Sequence, residues 1–410
     1  MIESAIDVYV KAYQRLSESS ELWKFIADNS SGDETELLLR HREILGVPIA
    51  IIAHQITGRR KSRTKIPTYA NRPEVLYPPG LNLEQSSSEK TASFKAKILA
   101  EVVTDADQVV DLTGGFGIDT YFFSRVFQHV EHVEPNPLLS WLAKHNHRSL
   151  GADNISYHGE RAEQFLKSTS TFSACFIDPS RRVNSGKVVQ LKDCEPDILE
   201  LQSAIFKLSP VLLIKTSPLL DITQALRELN FVQAVYVVSV DQECKELLFF
   251  ATREFVGEPK IHTVHLKGDT PETFEFRLSE EKALGLSLGT VRRFLYEPNP
   301  SIMKAGAYKS LAKSFSLDKI HPNSHFYSSE QFIGDFPGRI FEIRSRIRVR
   351  SEELRSLLPD RKANVVVRNY PLTADQLKKR LKLSDGGDDY VIGTTSTDEG
   401  KLLLLASRLK

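Results

Sequence analysis

The central part of this sequence predicts an α/β fold on a mostly parallel sheet, and three observations carry that prediction. Between residues 89 and 255 short apolar runs alternate with helical stretches, at a spacing that suits right-handed βαβ units. The last two runs are joined by only "DQE", Asp241–Glu243, too short for a parallel crossover, so the sheet must finish in an antiparallel hairpin. The first run ends in a glycine-rich turn, "DLTGGFGIDT" (Asp111–Thr120), which leads into an apolar helix and so brings backbone N–H groups to a ligand.

Taken in order, residues 1–88 read as helical, because "AIDVYVKAYQRL" and "ETELLLRHREIL" repeat apolar residues every three and four positions. Within them, "GRRKSRTKIPTYANRPEVLYPPGLNLEQSSS" reads as a basic linker or an ordered arm, since prolines and serines break its regularity. The expected strands of residues 89–255 are "DQVVDL", "HVEHVE", "NISYHG", "FSACFID", "PVLLIKTS", "FVQAVYVVSV" and "CKELLFFATRE", with "PLLSWLAKHNHRSLG" a helix closed by Gly151. Residues 256–337 read as a small α+β module. Residues 338–410 read as a second α+β unit, with "RIFEIRSRIRVR" a strand, "TADQLKKRLKL" a helix, and "DDYVIGTTS" with "KLLLLASRL" a hairpin.

A chain of 410 residues exceeds one ordinary core and predicts several domains. Its formal charge of +1 gives no global attraction to nucleic acid, so any basic surface must be local. Cys175, Cys194 and Cys244 are scattered without CxxC spacing, which speaks against a disulfide framework or a zinc site and fits a reducing compartment. The longest apolar runs, "VPIAIIA" and "LLLLA", fall far short of the roughly 18 residues that span a bilayer. The expected setting is cytoplasmic, with neither metal nor membrane as partner.

The turn decides the ligand class. A dinucleotide fingerprint asks for G-x-G-x-x-G, but here Gly115-Phe116-Gly117 is followed by Ile118, Asp119 and Thr120. Asp111, at the end of the strand, would repel a pyrophosphate. A ligand whose near end is uncharged or cationic suits it better, and S-adenosylmethionine carries an ammonium and a sulfonium and no phosphate. Glu134 ends the second strand, 23 residues after Asp111, where a doubly wound sheet places an acid that accepts both ribose hydroxyls. Glu160 follows the third strand and is expected near the adenine amino group. Asp178 ends the fourth in "DPSRR", where Pro179 forces the chain off the sheet.

These motifs resemble those of class I S-adenosylmethionine-dependent methyltransferases, with a Rossmann-like sheet: "DLTGGFGID" matches the glycine motif, "VEPN" the ribose acid and "DPSRR" the fourth-strand motif. More narrowly, "LEQSSSEKTASFKA", "LYEPNPSIMKAGAY" and "ANVVVRNYP…LKLSDGGDDYVIGTT" resemble landmarks of bacterial methyltransferases with a C-terminal THUMP-like domain. The resemblance implies a methyltransferase domain over 89–255, a THUMP-like domain over 338–410, and RNA, either tRNA or rRNA, as the acceptor. It also places Ser88 and Thr91 at the methionine end of the cofactor, with Asp111, Thr113, Gly114, Gly115, Phe116, Gly117, Glu134, Pro135 and Glu160 around the rest.

The acceptor side is assigned to Asp178, with Lys215 at the carboxyl end of the fifth strand and Arg181 beside it. Ser180 and Arg181 stand where amine-methylating enzymes carry a second proline and an aromatic, which puts amine-on-base chemistry in doubt. Arg182, the acid-free tract Arg59, Arg60, Lys61 and Arg63, and the alternating Arg344, Arg346 and Arg348 are the expected phosphate contacts. Cys175 lies inside an apolar strand and reads as core rather than as a nucleophile. A small-molecule or protein acceptor, or a non-catalytic RNA-binding module on the same scaffold, are the alternatives.

Overall fold

The computed structural model describes residues 5–30, 34–103, 107–167, 170–181, 190–268, 270–347 and 356–410. The chain divides into two compact units, Met1–Gln233 with Leu248–Val256, and Ala234–Leu247 with Gly257–Lys410.

The first unit contains the expected sheet. Its strands are β1 (Gln108–Asp111), β2 (His129–Val133), β3 (Ile155–His158), β4 (Ala174–Ile177) and β5 (Val211–Thr216), all paired in parallel in the order β3-β2-β1-β4-β5. The hairpin β6 (Val232–Val240) and β7 (Glu243–Thr252) follows, with β7 next to β5, and its residues are shared between the two units. Near-continuous burial of β1, β4 and β5 explains their apolar runs, since helices cover both faces of such a sheet.

Helices α1 (Ala5–Glu18), α2 (Ser20–Asp28), α3 (Glu34–Arg40), α4 (Ile49–Lys65), α5 (Pro67–Ala70) and α6 (Gly80–Gln85) precede α7 (Glu89–Val102), which leads into β1. The tract expected to be an arm is instead helical through Lys65. Its cations are consumed locally: Arg59 stacks on Trp23 and donates to Val75 O at 3.2 Å, Arg60 pairs with Glu34 at 2.6 Å, and Lys61 pairs with Glu84 at 2.5 Å. The helix survives this composition because Ile49, Ile52 and Ile56 hold its other face in a core.

That core is continuous with the sheet domain. Tyr13, Leu16, Ile52, Tyr69 and Tyr77 cluster with Phe116, Ile118, Tyr121, Leu138 and Leu142 from α8 (Ile118–Ser124), α9 (Pro137–Ser149) and the turn before α8. Each large side chain buried this way contributes about 1.5–3 kcal/mol. Between α4 and α9 runs an extended segment whose backbone pairs with side chains rather than with a strand. The Gln55 amide accepts from Tyr77 N at 2.8 Å and donates to Tyr77 O at 2.9 Å. Asn146 does the same for Leu76, 2.9 Å in both directions. Both amides are fully buried, so each satisfies two groups that water cannot reach.

In the second unit, β8 (Lys260–Leu266) pairs in parallel with Ala234–Val240 and β9 (Glu272–Phe276) pairs antiparallel with β8. A seven-stranded sheet follows, made of β10 (Phe294–Pro298), β11 (Asp318–Lys319), β12 (Tyr327–Ser329), β13 (Gly338–Ile347), β14 (Asn364–Val367), β15 (Asp389–Ser396) and β16 (Gly400–Arg408), in the order β11-β12-β10-β13-β16-β15-β14. The expected strand, helix (Ala374–Leu381) and closing hairpin are all present. No helix among the described residues is long and apolar enough to cross a membrane.

Asn146→Ala strands both backbone groups of Leu76 and is expected to cost the first unit about 1–3 kcal/mol. Both tryptophans, Trp23 and Trp141, lie in that unit, so urea unfolding followed by tryptophan fluorescence reads it selectively. An unchanged midpoint would show that the segment is held by its side chains alone.

Candidate functional site

A cavity of about 340 Å³ opens at the carboxyl ends of β1, β2 and β4, inside the size range of small-molecule sites. Its floor is the turn Thr113–Gly117, and its shape follows from two buried histidines. Gly114 lies directly on His132, where a Cβ would come 2.2 Å from the ring. Gly117 has φ +86° and lies on His147, where a Cβ would come within 2.7 Å. Glycine is therefore required twice, once for close approach and once for both approach and a left-handed backbone.

The imidazoles are themselves held by hydrogen bonds. His147 Nε2 donates to Gly117 O at 2.8 Å, and its Nδ1 accepts from the Tyr157 hydroxyl at 2.8 Å, a tautomer assigned from its partners. Burial drives its pKa down to about 4. His132 Nδ1 lies 2.9 Å from the Thr120 hydroxyl, which donates to Asp111 Oδ2 at 2.7 Å. Asp111 also accepts from Thr113 N at 3.1 Å and is only 1% exposed. It stands beneath the turn rather than in the cavity wall, so its task is to hold the turn rather than to meet a ligand. Desolvation raises its pKa to about 7.

Above the turn, Glu134 accepts from Gly115 N at 2.8 Å and from Asn136 N at 2.7 Å. One bond fixes each oxygen and leaves further acceptor capacity on both. Glu134 is 9% exposed, and burial raises the pKa of its carboxyl. Pro135, Leu139 and Ala162 give the adjoining wall an apolar surface. At the acceptor edge, Asp178 N donates to the Thr113 hydroxyl at 2.7 Å, tying the ends of β4 and β1 together. The Asp178 carboxylate pairs through Oδ2 with the ammonium of Lys215. Cys175 is buried in β4 with its thiol pKa pushed up to about 12, as expected of core.

The structure thus brings Thr113, Gly114, Gly115, Phe116, Gly117, Glu134, Pro135 and Asp178 to one cavity, with Lys215 behind Asp178. Glu160 stands outside its wall, in a separate hollow with Glu131 and His158. Ser88 caps α7, accepting from Thr91 N at 3.3 Å, and neither it nor the buried Thr91 reaches the cavity. Their neighbours do. Ser87 donates to Asp119 Oδ2 at 2.6 Å, and the fully buried Lys95 donates to Ser87 Oγ and lies beside Asp119 Oδ1, both at 3.1 Å. Asn82 and Gln85 line the same end. The signal for this cluster was Lys95 itself, because a lysine in the apolar rhythm of Ala92, Ala96 and Leu99 must have a buried acid as partner.

The expected phosphate contacts fare differently. Arg344 pairs with Asp389, and Arg346 with Glu399 at 2.8 Å, so acids of their own unit meet these strand arginines. Arg63 is exposed on α4. Arg181 belongs to a two-residue strand pairing with Cys194–Glu195, while Arg182 and Arg348 lie outside the described residues. No metal-holding group of His, Cys, Asp and Glu occurs among the described residues.

Family models match residues 294–337 as a ferredoxin-like domain and 338–408 as a THUMP domain-like region. A solved candidate methyltransferase from Porphyromonas gingivalis W83 is 30% identical with a TM-score of 0.83, over 95% of this chain and 98% of that one. An rRNA methylase from Streptococcus thermophilus is 18% identical with a TM-score of 0.31, over 39% of this chain and 94% of that one. A candidate methyltransferase from Streptococcus mutans in complex with SAH is 15% identical with a TM-score of 0.31, over 39% and 96%. No curated protein matches the chain.

Asp111 makes stability depend on pH with a definite sign. Its folded pKa of about 7 lies above the ordinary 3.8, so from about pH 4 to 7 the unfolded chain ionises this group while the folded protein keeps it protonated. Its contribution is complete below pH 4 and lost as pH rises through 7, by about 4 kcal/mol at most. The buried His147, with its pKa lowered to about 4, contributes in the opposite sense, but equally in a variant at position 111. The stability of wild type minus that of Asp111→Asn, from urea unfolding at pH 4.5, 6 and 8, is therefore expected to fall steadily. Parallel profiles would show that Asp111 is ionised in the folded protein throughout.

Proposed function

We propose, since the chain belongs to the class I methyltransferases that carry a C-terminal THUMP-like domain, that it transfers a methyl group from S-adenosylmethionine to RNA. The observation that carries the cofactor is the acid set of the cavity. Glu134 has both oxygens positioned and spare acceptor capacity for two ribose hydroxyls. Pro135, Leu139 and Ala162 offer adenine an apolar flank. Asp119, oriented by Ser87 and Lys95, gives the methionine ammonium an anionic partner at the other end. Among the described residues the one cation in the wall is Arg161, and Glu195 holds it at 2.8 Å, away from the task of binding a pyrophosphate on the turn.

The cofactor, when bound, supplies a methyl on a sulfonium, already an activated leaving group. What remains for the chain is to align the acceptor and accept its proton. Asp178 suits both tasks: its backbone is fixed by Thr113, Lys215 holds one of its oxygens, and its side chain borders the cavity. Lys215 acts through Asp178 as a positioning residue. RNA as acceptor is supported by the THUMP domain-like match, a domain type associated with RNA modification. A small-molecule or protein acceptor is the second reading, favoured by the acids that neutralise Arg344 and Arg346.

Glu134→Ala is expected to weaken S-adenosylmethionine binding by about 10²- to 10⁴-fold in calorimetry, the loss of two hydrogen bonds to a charged group. Asp178→Asn is expected to leave that affinity within about threefold and to slow transfer by roughly 10²- to 10⁴-fold. The acceptor class is read by incubating RNA and protein from a strain lacking the gene with methyl-labelled cofactor. Label in RNA that Asp178→Asn abolishes supports the reading. Label confined to protein or small molecules, with cofactor binding intact, overturns RNA as the acceptor.

A further inference from the structure

A second cavity, of about 310 Å³, lies wholly within the second unit, and the chemistry assigned above does not use it. Two of the stretches that resembled family landmarks meet there: "LYEPNPSIMKAGAY" supplies Glu297–Pro300, and "ANVVVRNYP" supplies Arg368. Glu297, 3% exposed at the end of β10, acts as an internal clamp. Its Oε2 accepts from Arg339 Nε at 2.6 Å, and its Oε1 lies 2.8 Å from Arg368 Nη2. Two guanidinium groups are thus fixed around one buried carboxylate. Each carries five N–H donors and spends only part of them on Glu297, Arg368 giving one more to Val367 O at 2.9 Å.

Lys267 and Arg408 add two further cations to the wall. The acids do not cancel this charge toward a ligand, because Glu297 is enclosed by its arginines and Glu272 lies 3.1 Å from Lys410 Nζ. Among the described residues, Asp241, at the turn of the hairpin, is the remaining acid in the wall. Gly338 explains how Arg339 reaches the site, since a Cβ there would fall 2.1 Å from Glu297 O, and only glycine lets β13 lie this close to β10.

We infer that this cleft binds a phosphate group, carried either by an RNA strand or by a free nucleotide. Guanidinium forks from β13 and from the end of β14, with an ammonium from the end of β8, line one cleft, and a phosphate offers oxygens to all of them. A carboxylate would occupy one fork and leave the other unmatched. The volume admits a nucleotide-sized group, and Gln242 and Asn299 in the wall offer polar contacts to its sugar or base. The inference stands apart from methyl transfer, because no residue of the first unit enters it.

The test uses the full-length protein and three probes: inorganic phosphate, AMP, and an unphosphorylated twelve-residue RNA whose phosphates are all internal. Lys267→Gln with Arg368→Gln removes two of the cations while Arg339 still pairs with Glu297. Circular dichroism and S-adenosylmethionine affinity, which reads the first unit, check that the variant is folded. The double variant is expected to bind at least one probe tenfold or more weakly by calorimetry or fluorescence anisotropy. If that probe is the RNA, the salt dependence of log Kd should also fall in slope by about 1.4. Weakening of RNA binding identifies a strand as the source, and weakening of AMP or inorganic phosphate alone identifies a soluble ligand. Equal affinities in wild type and variant for all three probes, or no binding of any probe to wild type, overturn the inference.

Discussion

Two glycines resting on two buried imidazole rings are the constraint from which the first unit's site is built. Without a Cβ at position 114 the turn after β1 sinks onto His132, and without one at position 117 the start of α8 sinks onto His147. That depth exposes the Gly115 N–H to Glu134 and so positions the carboxylate that ends β2. It also lets the Gly117 carbonyl, which accepts from Tyr121 N at 2.9 Å in the first turn of α8, accept from His147 as well. Both rings are held neutral by burial, which suits a floor that must carry no charge beneath a ligand. Asp111, partner to Thr113 and Thr120, belongs to the same foundation.

The helical N-terminal region completes the site rather than merely preceding it. Gln55 and Asn146 substitute for a neighbouring strand, holding Leu76 and Tyr77 by the backbone, and the chain then passes through α6 to Ser87. There the cavity gains Asn82, Gln85 and Ser87, and Lys95 reaches up from α7 to bind Ser87 and Asp119 together. A buried lysine is costly unless its partner is well placed, so this ion pair makes the position of α7 relative to α8 specific as well as favourable.

Much of this was legible in the sequence, for reasons that differ by element. Strands β1, β4 and β5 were readable because near-continuous burial leaves apolar runs, and α9 because Asn136, Pro137 and Gly151 mark its two ends. Glu134 and Asp178 were readable because strand ends have a fixed meaning in a parallel sheet. What failed is whatever depends on partners distant in sequence. Arg59, Arg60 and Lys61 look like a phosphate track until Trp23, Glu34 and Glu84 fold against them. Arg344 and Arg346 are both exposed on β13, where a register shift at Arg344 interrupts the expected alternation, and Asp389 and Glu399 approach them from the hairpin that closes the chain. Ser88 and Thr91 lie just beyond Ser87, the last lining residue before α7, and a capping pattern looks the same whether or not it borders a ligand.

The same logic separates the charges that hold this protein together from those that remain for a partner. With a net formal charge of +1, an arginine facing an acid of its own unit is the ordinary outcome, and most of the basic stretches end that way. Glu297 is different in kind. A single carboxylate enclosed by two guanidinium groups leaves a local excess of positive charge, and its burial fixes both forks without competing for what enters the cleft. Holding a salt bridge this deep is expensive unless further hydrogen bonds meet the remaining donors. Val367 O meets one of them, and both arginines line the cavity. The cleft therefore has the electrostatics of a site whose last acceptors come from a bound anion.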